Sequence, residues 1–261
     1  MRPLVIAIGG MDRAGKTLQR RSLLELLAER GQAPAYRWTR AGYTRHLESS
    51  KRWLRRLRGR EPQRDPADEA PTGRYPRRAE HLGPRWRRWL WTRLAILDLI
   101  WIFGVEARRL RRAGHAVVFD RGLEDARVDF RVNFPDDRVE RSLLWRLLER
   151  FAVRPDAYFL LLVPVEESMR RAAESGRRRR ELPEVLTRRL EAYRRIAESG
   201  AAEAIDGCRP PDDVTQVVRT RVEALLAPSL PGGHPAPGPG PRRSDAHVAH
   251  PLPLLMLYLL L

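Results

Sequence analysis

One octapeptide constrains this chain more than any other feature: Gly10-Met11-Asp12-Arg13-Ala14-Gly15-Lys16-Thr17. Glycine, four residues, glycine, lysine and then serine or threonine is the phosphate-binding loop pattern. The spacing has a physical reason. Glycines let the backbone curl until successive N–H groups aim at one anion, and the helix that follows adds the positive end of its dipole. The lysine supplies a mobile ammonium, and the threonine hydroxyl can ligate Mg²⁺. Such a loop works only between a strand and a helix. An apolar run over residues 3–8 stops at Gly9-Gly10, and Leu18, Leu23, Leu24, Leu27 and Ala28 recur at helical spacing before Gly31. All eight loop residues are therefore candidate nucleotide-binding residues, with Lys16 as a catalytic cation and Thr17 as a metal ligand.

The remainder alternates in the same way. Strands are expected at 33–38, 115–120, 157–163 and 204–206, and helices at 86–112, 138–151, 165–174, 183–198 and 211–226. This alternation implies an α/β fold with a mostly parallel five-stranded sheet between two helical layers. Asp120 closes the third strand, where a carboxylate would hold Mg²⁺ through water. A capping role or an ion pair with Arg121 is the alternative for this residue. The tryptophans Trp86, Trp89, Trp91 and Trp101 alternate with arginines, which suits base stacking, but the apolar stripe through Leu90, Leu94, Leu97 and Trp101 favours packing on the sheet or against a second subunit of a homodimer.

Composition limits the alternatives. With 261 residues, 43% of them hydrophobic and 32% charged, the chain is expected to fold as one sizeable domain, residues 1–227. Its single cysteine, Cys208, excludes an intramolecular disulfide and a multi-cysteine metal cluster, and with an N-terminal apolar run too short for a signal core it leads to a cytoplasmic assignment. A net charge of +17 raises nucleic acid as a partner. Lys16 and Lys51 are the only lysines, however, so the excess is arginine, and a coding-composition bias explains it without a ligand. Two segments stand outside the core pattern. Residues 59–84 read as a mobile insertion. Residues 228–261 read as a Pro/Gly-rich linker and a dispensable apolar tail, too short to span a bilayer, with weak membrane contact as its other reading.

With these residues in hand, the chain resembles the thymidylate kinase family of P-loop nucleoside monophosphate kinases over residues 3–227. The resemblance is carried by residues 10–19, with Asp-Arg inside the loop, by Val-Val-Phe-Asp-Arg at 117–121, by Arg-Pro-Asp before the apolar strand at 157, by the arginine run at 176–180 and by Ile205-Asp206. It implies a P-loop kinase fold and transfer of a phosphoryl group from ATP, with Mg²⁺, to thymidine monophosphate in dTTP biosynthesis. Asp12 would then lie near the acceptor sugar, Arg121 by the acceptor phosphate, and Arg37 or Arg40 would clamp that phosphate. Arg13, with Arg177 and Arg178 from a lid at 175–183, would neutralise the transferring group. Three features depart from the pattern: Gly122 replaces the aromatic residue that follows Asp-Arg, Leu97-Asp98-Leu99-Ile100 lacks the helix arginine, and the insertion has no counterpart. A kinase for a nucleoside or other small hydroxyl acceptor is a second reading. A third is a non-catalytic P-loop module that binds nucleotide or nucleic acid.

Overall fold

The computed structural model describes residues 2–39, 84–175 and 181–227. Its centre is a five-stranded, wholly parallel sheet: β1 (Val5–Gly10), β2 (Ala33–Trp38), β3 (His115–Asp120), β4 (Ala157–Leu162) and β5 (Glu203–Asp206), in the order β2-β3-β1-β4-β5. Every residue of β1 is buried, and side chains along a strand point alternately to the two faces, so both faces are covered. Helix α1 (Lys16–Glu29) follows β1, and α2 (Arg85–Leu99) runs through a π-helical stretch, Ile100–Glu106, into α3 (Ala107–Arg112). After β3 come α4 (Leu123–Asn133), a 3-10 turn at Val139–Arg141 and α5 (Leu143–Phe151); α6 (Val165–Glu174) and α7 (Pro183–Glu198) separate β4 from β5, and α8 (Pro211–Leu226) follows β5. Helix α1 packs on β1, β2, β3 and α8, whereas α7 packs on β4, β5, α4 and α6.

This strand order positions the site. The chain leaves β1 toward the β2 edge and leaves β3 toward β4 on the other side of β1. Crevices of open parallel sheets form outside the carboxyl ends of strands at such a reversal. Here those ends are Gly10, where the loop begins, and Asp120.

Most boundaries agree with the sequence pattern to within two residues, and three differences have identifiable causes. The stretch 86–112 is helical but not uniformly α. In its π turn the Phe103 carbonyl accepts from the Val153 N–H at 2.8 Å, and Arg108 donates both to the Gly104 carbonyl at 2.6 Å and to the Phe151 carbonyl, joining this helix to the end of α5. The helix expected from 138 begins at Leu143 instead, because the Ser142 side chain accepts from the Trp145 N–H at 3.2 Å and caps it. The sequence pattern shows no helix at α4, since its buried face carries Asp125 and Asp129 among the apolar residues and so hides its period. Of the tryptophans, Trp91 stacks on Phe134 at 5.2 Å beside Phe130 and Trp145, while Trp86 and Trp89 stay exposed, with Arg93 3.9 Å above the Trp89 ring. No helix among the described residues is long and apolar enough to cross a membrane.

Candidate functional site

The loop keeps sheet register for as long as it can. Gly10 pairs with Leu161, and the Met11 N–H still donates to the Leu161 carbonyl at 2.9 Å before the chain turns away. Gly10 and Gly15 adopt φ of +110° and +93°, conformations that glycine tolerates and side chains resist. A Cβ on Gly10 would overlap the Leu161 carbonyl oxygen, and one on Gly9 would overlap the Asp125 carboxylate. Both positions require glycine on steric grounds.

Loop carbonyls and amides are sorted. Lys16 folds back and donates from Nζ to the carbonyls of Gly10, at 3.0 Å, and Met11. The Asp12 carbonyl accepts from Ser168 Oγ at 2.9 Å, and the Arg13 carbonyl from Arg171 at 3.1 Å; Arg171 also reaches the Gly207 carbonyl at 3.0 Å. Among the described residues no acceptor is bonded to the backbone N–H groups of Gly15, Lys16 and Thr17. The start of α1 therefore presents free donors at the positive end of its dipole, which is a cradle for an anion. Burial, and then the neighbouring Arg121 charge, lower the Lys16 pKa to about 8. An anion at this site would favour its charged form.

The turn after β3 closes against the loop. Arg121, at φ +78°, donates from Nη2 to Asp12 Oδ1 at 2.8 Å and from its backbone N–H to the Ile8 carbonyl at 2.8 Å. Asp12, Arg121 and Lys16 are thus brought together; Lys16 Nζ lies 3.9 Å from Asp12. Arg37 is not among them: its guanidinium donates to Glu106 at 2.6 Å and to the Tyr36 carbonyl at 2.7 Å, because β2 is an edge strand beside the π turn. Arg13, at φ +63°, is half-buried in the loop. Arg40, Arg177 and Arg178 lie outside the described residues, as do residues 59–83 of the insertion, 176–180 of the expected lid and the tail from 228.

Asp120 ends β3 beside α1, where its Oδ2 accepts from Arg20 at 3.2 Å and from the Tyr36 hydroxyl at 3.1 Å. Arg20 lies one turn beyond Thr17, so the carboxylate sits alongside the start of α1. These bonds engage one carboxylate oxygen and leave Oδ1 for another partner, and Thr17 is not buried. One hydroxyl and one carboxylate oxygen suit Mg²⁺, which keeps several waters and takes phosphate oxygens. No group of three or more His, Cys, Asp or Glu residues among those described could hold a metal by itself.

Below the loop lies a buried polar network that the sequence pattern does not announce. Asp125, fully buried on α4, accepts from the N–H of Gly10 at 3.0 Å and of Gly122 at 2.9 Å, and from the hydroxyls of Tyr158 at 2.6 Å and Tyr193 at 2.8 Å. Burial first, and then the Asp125 charge, push both phenols well above their ordinary pKa. Nearby, Arg189 is buried between Asp129, which it pairs closely, and Glu181 at 2.9 Å. The available sequence signals were a tyrosine in the otherwise apolar β4 and two acidic residues opening α4. The network also gives Gly122 a cause. A Cβ there would lie 2.7 Å from the Tyr158 ring, which fills the space beside the turn.

Comparison with protein-family models and with curated proteins gives no match.

Proposed function

We propose that this chain is a P-loop phosphotransferase. Its particular reading is that of a thymidylate kinase-like enzyme, with the three-layer fold of nucleoside monophosphate kinases, which transfers the γ-phosphoryl group of ATP to a nucleoside monophosphate, thymidine monophosphate first. The single observation that carries the reading is the arrangement at the carboxyl ends of β1 and β3. Free amides open α1, Lys16 is poised over the loop, and Arg121 is bonded to Asp12 across the crevice.

Phosphoryl transfer asks the protein for positioning and positive charge rather than for covalent chemistry. The amides of Gly15, Lys16 and Thr17 receive the donor phosphates. Lys16 exchanges its two carbonyl partners for phosphate oxygens, and Arg13 reaches the group in flight. Arg121, oriented by Asp12, meets the acceptor phosphate, and the crevice aligns attacking and leaving oxygens. Thr17 and Asp120 would hold Mg²⁺, which supplies charge neutralisation on the phosphates.

Two observations favour a different acceptor as the second reading. Arg37 is engaged by Glu106, and Tyr158 occupies the side of Gly122 where the family carries an aromatic residue. A coupled ADP-release assay with Mg-ATP against a panel of nucleoside monophosphates and nucleosides decides between them, with Lys16→Ala as background. Selective turnover of thymidine monophosphate supports the first reading and turnover of another acceptor the second. ATP binding without turnover on any acceptor leaves the non-catalytic module.

The Lys16 environment fixes a pH dependence. The loop holds its ammonium at a pKa of about 8, and a bound anion must raise that value. Affinity for ATP, measured by titration in EDTA from about pH 7.5 upward, where the terminal phosphate is ionised, is expected to change little up to pH 8 and to fall about tenfold per pH unit above it, as binding takes up a proton. A flat profile to pH 10 would show that Lys16 does not meet the phosphates.

A further inference from the structure

Asp125 is bonded in a way that a helix-capping residue does not need. Its Oδ1 accepts from the Gly10 N–H and the Tyr193 hydroxyl, and its Oδ2 from the Gly122 N–H and the Tyr158 hydroxyl. Two donors on each oxygen, one backbone amide and one phenol apiece, saturate a carboxylate. These donors come from the first residue of the phosphate-binding motif, the turn that carries Arg121, β4 and α7. The packing is close: a Cβ on Gly9 would overlap the carboxylate.

From this geometry we infer that Asp125 is a positioning residue that locks the phosphate-binding loop and the Arg121 turn into one rigid unit. Through Gly10 it fixes where the loop leaves β1, and so where the following amides point. Through Gly122 it fixes the turn that sets Arg121 against Asp12. A donor-side element and an acceptor-side element thus share one buried anion, and a shift in either is transmitted to the other. The inference rests on the nucleotide-site reading for its consequence but not for the clamp itself.

An amide in place of the carboxylate tests it. The side chain introduced by Asp125→Asn could accept on one atom only, so its NH₂ would face one glycine N–H whichever way it turned. The phenols can rotate to accept, but the backbone amide cannot. Asp125→Asn is therefore expected to weaken ATP binding by about ten- to a hundredfold, the loss of a charge-assisted hydrogen bond at the loop or the turn. The titration is run at a temperature where the variant is fully folded. Leu148→Ala, a buried site on α5, controls for stability alone. It is expected to lower Tm with ATP affinity within about twofold of the parent. Equal ATP affinity in folded Asp125→Asn and the parent, or losses that track Tm in both variants, would overturn the positioning role.

A measurement on the unmodified chain keeps the clamp testable if the variant does not fold. In nucleotide-free protein the Gly10 and Gly122 amides are expected to exchange hydrogen far more slowly than those of Lys16 and Thr17. Comparable rates would overturn the clamp. Slow exchange in a chain that binds no ATP would instead leave the clamp standing and remove the nucleotide reading.

Discussion

Replacing Lys16 with alanine is expected to lower ADP release by about a thousandfold or more while leaving the protein folded. The lysine is the cation folded over the loop, and its present partners are two carbonyl oxygens that any phosphate oxygen outbids for a charged ammonium. On the proposed phosphoryl transfer, its absence would leave charge in the transition state uncompensated. The fold does not depend on it. Because burial holds its pKa at about 8, below the ordinary 10.5, the unfolded chain binds the proton more readily between those values. Stability therefore rises with pH through that window, and at pH 7 the folded state bears the cost of the buried charge. The Tm of Lys16→Ala at pH 7 is expected to equal or exceed that of the parent. Loss of activity with an unchanged or higher Tm separates a catalytic lysine from a structural one; near-normal turnover would remove the phosphate-loop assignment.

The opposite result is expected at Gly10. Here alanine meets two independent penalties. The backbone lies at φ +110°, outside the region that L side chains adopt, and the new methyl would overlap the Leu161 carbonyl oxygen. That oxygen accepts the Met11 N–H and is tied into β4, an interior strand paired with β1, so it cannot yield without breaking strand register. Gly10→Ala is expected to cost at least about 3 kcal/mol, by combining left-handed strain with overpacking of a buried backbone. Thermal or urea unfolding monitored by circular dichroism measures it. A loss under about 1 kcal/mol, within the range of ordinary surface substitutions, would show that the loop does not leave the sheet as described.

How much of this was legible in the sequence depends on how local each signal was. The strands and most of the helices announced themselves through apolar runs, periodicity and glycine or proline punctuation, and each signal lies within a few residues of the element it specifies. The loop motif was legible for the same reason, since its eight residues are contiguous and its context is the strand and helix beside it. Helix α4 gives no such local signal because Asp125 and Asp129 occupy its buried face, and a carboxylate in a sequence gives no sign that distant donors will satisfy it.

The candidate site divides along that line. The octapeptide alone puts glycine, lysine and threonine at a strand-to-helix turn, and the family resemblance points to Asp12, Arg13 and Arg121 around it. Which of them meet follows from how the strands are ordered in the sheet. Arg121 reaches Asp12 from 109 residues away. Arg37 turns to Glu106, Tyr158 closes the space at Gly122, and Ser168 and Arg171 brace loop carbonyls from α6. Asp125 draws on donors separated by 115 and 68 residues. The physical reason is range. Backbone preference and hydrophobic period act between near neighbours, whereas a hydrogen bond between side chains far apart in the chain is specified only once the sheet order has placed their strands side by side.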